Sequence, residues 1–328
     1  MCNLVYGQIY PQLWIENHLK TLCDSTNLPA VTKRYKLEYV IFTDQPTLDA
    51  IQRHPNFMML GKYAEIIIVK INWPPDSDPF ASRYNLLVQM FHEVLKTALE
   101  KQAIMSCWVA DLVFAKLAIP NLLGRIESGY DAVFNVPIRS AADSLNQILA
   151  KLPGAPSALE LFEMAYAHLH HLWVASHVTA PMFSKFPYSM LWNSGTGLLA
   201  HNFGITPIIF ETIEELKTVR GVIDADVPAK FKNPYWATDW LDAPVAGVEP
   251  LSNGHYPPFL QHKYSEDFIS GWAAVGTHPT QINNLHKPLF YPSRKHFNNE
   301  ALAKQALSTV ASLQNRLTSE LQLKLEGV

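Results

Sequence analysis

The sequence has few cysteines, no surplus of positive charge and no long apolar run. Three of its 328 residues are cysteines, Cys2, Cys23 and Cys107, and their spacing is not that of a metal site. This small odd number predicts a chain from the reducing cytoplasm rather than a disulfide-bonded secreted protein. A formal net charge of -3 argues against a nucleic-acid partner. We also expect neither a transmembrane segment nor a signal peptide.

Two common catalytic motifs are missing as well. The sequence contains no phosphate-binding P-loop and no nucleophile turn of the hydrolase type. The stretch Gly195-Thr196-Gly197-Leu198-Leu199-Ala200 has the glycine spacing of a dinucleotide-binding turn. It lacks a clear βαβ context and an acidic residue about 20 positions later, so we interpret it as a tight turn or a chance match.

What the sequence does have is a large apolar content arranged in alternating strand and helix patterns. Hydrophobic residues make up 48% of the chain, which is enough for a real core. Apolar runs predict strands over residues 3–6, 37–43, 66–71, 104–110, 130–136 and 205–210. Helical spacing predicts helices over residues 8–22, 79–101, 120–127, 140–152 and 158–173. This rhythm is typical of an α/β fold with a mixed, mainly parallel sheet and helices on both faces.

The last segment of the chain has one apolar face. Over residues 299–325, leucine, valine and alanine side chains recur at helical spacing, as in Leu302, Val310, Leu313 and Leu317. We predict a helix packed on the body of the protein or in a homodimer, because so long a seam is costly to leave in water. Residues 1–292 would then form the main domain and residues 293–328 a C-terminal helical extension.

Asp111 is the first candidate for a functional site. The apolar run of residues 104–110 leads directly to it, and open α/β sheets bind ligands at the carboxyl ends of their strands. The same carboxylate could instead cap the turn that follows. A second acidic point is Ile223-Asp224-Ala225-Asp226. Aspartates at strand ends, with histidine and asparagine in later loops, suit a phosphorylated ligand held through a divalent metal.

The order of several short motifs adds a resemblance. In chain order these motifs are Asn27-Leu28-Pro29-Ala30, Thr43, Tyr84 with His92, Asp111-Leu112-Val113, Gly197-Leu198-Leu199-Ala200, Ile223-Asp224-Ala225-Asp226 and Thr277-His278-Pro279. The chain resembles nucleotide-diphospho-sugar transferases with the GT-A fold, and more closely a group of bacterial proteins assigned as glycosyltransferases. The resemblance covers most of residues 1–292.

The resemblance implies a GT-A-like (Rossmann-like) domain that moves a sugar from a nucleotide sugar to an acceptor of unknown identity. It implies contacts to the nucleotide sugar from Thr43, Asp44, Arg83, Tyr84, His92, Asp111, Asn193 and Gly197. It also implies a manganese or magnesium ion on Asp111 and His278, with His286 as the alternative histidine ligand. Val113 stands where the family has the second Asp of its Asp-x-Asp motif, so Asp224 or Asp226 would have to supply that carboxylate.

The catalytic roles follow from the chemistry of sugar transfer. An inverting enzyme needs a general base for the acceptor hydroxyl, and Asp224 and Asp226 are the candidates. The leaving diphosphate needs positive charge, from a metal or from side chains such as Arg83 and Lys287.

Two other functions stay open. A GT-A-like binding or scaffold protein that has lost metal and catalysis fits the single Asp at position 111. A metal-dependent α/β hydrolase would instead gather His92, His168 and Asp111 around its metal.

Overall fold

The structure is a computed structural model. It describes residues 1–71, 79–135, 137–174, 183–184, 189–193, 197–202, 207–219, 227, 230–237, 244–250, 261–262 and 288–292. Among these residues no helix combines the length and the apolar character needed to span a membrane. The predicted C-terminal helix over residues 299–325 lies outside the described residues and stays a prediction.

The described chain alternates strands and helices. The strands are β1 Cys2–Leu4, β2 Glu38–Thr43, β3 Glu65–Lys70, β4 Ile104–Met105, β5 Cys107–Val109, β6 Leu112–Phe114, β7 Ala132–Phe134, β8 Ile138–Ala141, β9 Phe183–Ser184, β10 Ser189–Asn193, β11 Gly197–Asn202, β12 Pro207–Glu211, β13 Pro234–Trp236, β14 Val245–Glu249, β15 Gln261–His262 and β16 Pro288–Pro292. The α-helices are α1 Tyr10–Leu13, α2 Leu19–Leu22, α3 Leu28–Val31, α4 Gln45–Ile51, α5 Pro55–Leu60, α6 Pro79–Lys101, α7 Ala118–Glu127, α8 Ala142–Leu149, α9 Ala158–Ala167 and α10 His171–Val174. A π-helical turn, Trp14–His18, joins α1 to α2, and Glu214–Thr218 is a 3-10 helix.

The centre of the fold is a mainly parallel sheet. Strands β3, β2, β1 and β5 lie side by side in that order, and every pair among them is parallel. Only Ser106 separates β5 from β4, and β4 pairs with the antiparallel strand β12, which pairs in turn with β7. The stretch Ile104–Met105 and Cys107–Val109 therefore joins two four-stranded sheets. This confirms the predicted mixed, mainly parallel sheet.

Helices cover both faces of this sheet. Successive side chains of a strand point to opposite faces, so a strand with apolar residues at successive positions needs packing partners on both. On β2, Tyr39 and Ile41 belong to one apolar core, whereas Val40 packs against the other. The first core holds Trp14 and Leu19 from the helical segment after β1, together with Leu122 and Ile126 from α7. The second holds Phe91, Leu95 and Ala98 from α6 with Met105 and Phe210 from the sheet. The prediction of helices on both faces is confirmed.

A buried polar network fixes the first helical segment on the sheet. The side-chain amide of Asn3 donates to the carbonyl oxygen of Trp108 at 2.6 Å, and its amide oxygen accepts from Trp14 Nε1 at 3.2 Å and from the Tyr39 hydroxyl. The ring of His18 lies 3.0 Å from the same hydroxyl. Burial lowers the pKa of His18 to about 3, with the backbone at Leu112 acting in the opposite direction. The network therefore holds the segment Trp14–His18 against strands β1, β2 and β5.

A smaller sheet contains the residues that follow Asp111. Strand β14 lies between β6 and β8, antiparallel to β6 and parallel to β8. The sequence patterns did not predict β6, because it begins directly after the turn at Asp111 and looks like a continuation of one apolar run. They also placed residues 140–152 in one helix, but β8 extends to Ala141 and α8 covers only Ala142–Leu149.

The helix predicted over residues 158–173 is interrupted at residues 168–170. The carbonyl of His168 accepts from the Ala141 N–H at 2.8 Å, and the N–H of His170 donates to the Arg139 carbonyl at 2.9 Å. These bonds to the edge of β8 replace helical bonds, so the segment forms α9 and the short α10.

Candidate functional site

Asp111 lies where the strand order of the central sheet reverses. Strands β1 and β5 are neighbours, with Leu4 beside Val109 in the register of the pair. From β1 the chain continues to β2 and β3 on one side of the sheet, whereas β5 lies on the other side. The residues after β1 and after β5 therefore lie next to each other at the carboxyl edge of the sheet, which is where open α/β sheets bind ligands.

Asp111 is part of a cluster of three charged side chains. Its side chain is buried, with 3% of the residue exposed. Its Oδ2 lies 3.6 Å from Nη1 of Arg139 on β8. The same Nη1 donates to Oε1 of Glu249, a second buried carboxylate at the end of β14. We call Asp111, Arg139 and Glu249 the Asp111 cluster; Arg139 is its most exposed member, with 30% of its side chain accessible.

Backbone pairing brings these three residues together. The N–H of Val248 donates to the Asp111 carbonyl at 2.9 Å, and this ties β14 to the turn. In the parallel pair of β8 and β14, Arg139 lies beside Gly247. A Cβ atom on Gly247 would lie 2.7 Å from Cδ of Arg139 and 2.9 Å from its Nη1. A side chain at position 247 would therefore displace the arginine from its place across β14.

The surroundings of Asp111 disfavour its charge. Burial raises the pKa of Asp111 to about 7, the Arg139 guanidinium acts against this rise, and the Glu249 carboxylate adds to it. Among the described residues, no hydrogen-bond partner reaches Oδ1 of Asp111. A buried oxygen of this kind is uncommon in folded proteins.

Two predicted contact residues lie at the carboxyl end of β2. Thr43 is buried, and its hydroxyl lies 3.4 Å from the Asp44 carbonyl. The carboxylate of Asp44 accepts from the Thr47 N–H at 2.9 Å and caps the N-terminus of α4. Asp44 thus has a structural role at this edge, and its contact with a nucleotide sugar stays a prediction.

The other predicted residues lie elsewhere or outside the described part. His92 lines a groove of about 480 Å³ between α6 and the 3-10 helix, with Leu95, Lys96, Leu99, Glu100, Leu216, Lys217 and Val219. Arg83 and Tyr84 lie near the start of α6, Asn193 ends β10 and Gly197 begins β11. The side chains of Arg83, Tyr84 and Asn193 are outside the described part, and so are Asp224, Asp226, His278, His286 and Lys287.

The described residues do not contain a complete set of metal ligands. The described residues contain no group of three or more His, Cys, Asp or Glu side chains that could hold a metal ion. The structure therefore does not support a metal held by His92, His168 and Asp111. Around Asp111 the described side chains offer two carboxylates, and a guanidinium nitrogen already contacts both.

Sequence reasoning missed Arg139, Glu249 and Gly247. Glu249 had a usable pattern, because an apolar run, Val245-Ala246-Gly247-Val248, leads to it just as residues 104–110 lead to Asp111. Arg139 had none, since a single arginine in a strand has no special spacing.

Comparison with known proteins does not assign this site. Neither the known protein families nor the curated proteins give a match to the chain. The function therefore has to follow from the chemistry of the Asp111 cluster and from its position in the fold.

Proposed function

We propose that this protein is a glycosyltransferase with a GT-A-like fold, which moves a sugar from a nucleotide-diphosphate sugar to an acceptor hydroxyl. One observation carries the proposal: Asp111 follows β5 at the carboxyl edge, beside β1, where a Rossmann-like sheet binds its ligand. The resemblance puts the first Asp of the family motif at this same residue.

The chemistry of the cluster supports this proposal. Sugar transfer leaves a diphosphate whose negative charge must be offset, and guanidinium groups match phosphate oxygens in charge and geometry. Arg139 is partly accessible and has this chemistry. The buried carboxylates of Asp111 and Glu249 are acceptors for sugar hydroxyl groups. Asp224 and Asp226 remain the proposed general bases.

A binding protein without transfer activity is the second candidate. The burial of Asp111 favours it, because a carboxylate that is 3% exposed and paired with arginine can have a purely structural role and no role in catalysis. Such a protein would bind a nucleotide sugar and leave the sugar bond intact.

A thermal-shift screen tests the proposal. UDP and GDP, each with and without Mn²⁺, are added to the full chain, and the matching nucleosides serve as controls. A diphosphate at 100 times its Kd is expected to stabilise the protein by about 2.7 kcal/mol, whereas the nucleoside alone stabilises it less. No stabilisation by any nucleoside diphosphate would contradict both candidates.

Turnover separates the two candidates. The nucleoside diphosphate that stabilises the chain identifies which sugar nucleotides to supply. Release of that nucleoside diphosphate is then followed, with water taking the sugar in place of the unknown acceptor. Release that the wild type shows and the Asp111→Asn variant lacks supports the transferase. Binding without release supports the binding protein.

A further inference from the structure

We propose that Arg139 is the resident cation of the Asp111 cluster and holds the position that a divalent metal would need, so that this centre works without a metal. The identity of the anionic ligand rests on the proposed function. The absence of a metal requirement at this centre rests on the geometry of the cluster alone.

The first argument is the position of a single atom. Nη1 of Arg139 lies 3.6 Å from Asp111 Oδ2 and is hydrogen-bonded to Glu249 Oε1. A magnesium or calcium ion shared by these carboxylates would need oxygen atoms from both at about 2.0–2.6 Å. The point where the two carboxylates converge already holds a guanidinium nitrogen, and an ion could not share it.

The second argument is that the fold is built to seat this arginine. Gly247 lies beside Arg139 in the parallel pair, and the Cδ, Nε and Nη1 atoms of Arg139 lie within 3.2 Å of where a Cβ would be. Removing a cation from between buried carboxylates is strongly unfavourable, because it leaves charge buried without a partner. Arg139 is thus more firmly placed than an arginine in an ordinary surface ion pair.

The third argument is the set of oxygen donors. Val113 is a buried apolar residue where the family motif has its second carboxylate. The described side chains around the guanidinium are therefore two carboxylates, and each of them already has the Arg139 Nη1 cation beside it. The planar guanidinium instead presents N–H groups in a fork that suits phosphate oxygens.

The decisive experiment counts bound Mn²⁺ by electron paramagnetic resonance. The wild type, Asp111→Asn and Glu249→Gln are titrated with Mn²⁺ without any nucleotide, and circular dichroism verifies that each variant is folded. Val113→Ala is the matched control, because it alters the strand that follows Asp111 without changing a charge. We expect all four proteins to bind the same amount of Mn²⁺. One equivalent bound by the wild type and the control but lost in either carboxylate variant would overturn the inference.

A second experiment examines the anion. If UDP or GDP stabilises the protein, the stabilisation in EDTA should equal that in Mn²⁺, and Arg139→Gln should raise the Kd by about tenfold or more. A requirement for Mn²⁺ that disappears in Asp111→Asn would overturn the inference. If no nucleoside diphosphate binds, the proposed function fails, and the Mn²⁺ count still decides whether Arg139 excludes a metal.

Discussion

The stability of the protein should depend on pH through Asp111. The pKa of this carboxyl is about 7 in the folded chain, whereas the ordinary value for an aspartate is 3.8. Because the pKa of Asp111 is higher in the folded chain than in the unfolded chain, its protonated carboxyl contributes its full stabilisation below pH 3.8. This stabilisation is lost as the pH rises to 7. The rise from 3.8 to about 7 is roughly three pH units, which corresponds to about 4 kcal/mol at about 1.4 kcal/mol per unit.

Asp111→Asn isolates this effect. Asparagine has almost the same size as aspartate but cannot ionise, so the loss of stability with rising pH disappears. We expect the free energy of unfolding of the variant, relative to wild type, to rise by about 4 kcal/mol between pH 4 and pH 7 and to stay level above that. Urea unfolding at constant ionic strength, followed by far-UV circular dichroism, measures this difference.

Val113→Ala is the control for this experiment. It removes apolar volume from a fully buried residue of β6, at a cost of about 2 kcal/mol in stability, without changing a titratable group. Its effect on the free energy of unfolding should therefore be the same at each pH. A difference between Asp111→Asn and wild type that is equally constant would refute the electrostatic account of the cluster.

Three further predictions concern stability. Gly247→Ala should lower the free energy of unfolding by about 1–3 kcal/mol, because the new Cβ would overlap the side chain of Arg139; a lower urea midpoint would show this. Gly124→Ala in α7 is the control, because it has open space around it and should not destabilise the protein. Equal effects of the two substitutions would contradict the close approach of Arg139 to Gly247. Tyr39→Phe should cost about 1–3 kcal/mol, because the hydroxyl contacts both Asn3 and His18, and an unchanged melting temperature would count against the buried network. The pKa of His18 falls from 6.5 in the unfolded chain to about 3 in the folded chain, so neutral His18 stabilises the fold fully above pH 6.5, and this stabilisation is lost as the pH falls toward 3. His18→Gln should therefore weaken the dependence of the free energy of unfolding on pH between about 6.5 and 3.

The elements that the sequence predicted well are those whose periodicity is local. The residues of α6 repeat their apolar pairs every four positions, and the structure has the helix over Pro79–Lys101 as predicted. Strand β2 combines β-branched and aromatic residues, and its predicted and observed ends agree within one residue. In both cases the pattern within one segment determines the element, and no distant partner is needed.

The partners of Asp111 could not be predicted in this way. Arg139 and Glu249 are 110 residues apart in the sequence and meet only because β14 inserts between β6 and β8. Such pairing depends on register and topology rather than on the residues of one segment. For the same reason the helix over residues 158–173 was predicted as continuous, although pairing with β8 interrupts it.

Calorimetric titration of nucleoside diphosphate into wild type and Asp111→Asn tests the central claim most directly. The account predicts saturable binding of UDP or GDP to the wild type, and a Kd raised about 5- to 150-fold in the variant, as expected for about 1–3 kcal/mol from a charge-assisted contact. Val113→Ala should bind as the wild type does. Equal affinity in all three proteins, or no binding to the wild type, would contradict the assignment of this edge of the sheet as the nucleotide-sugar site.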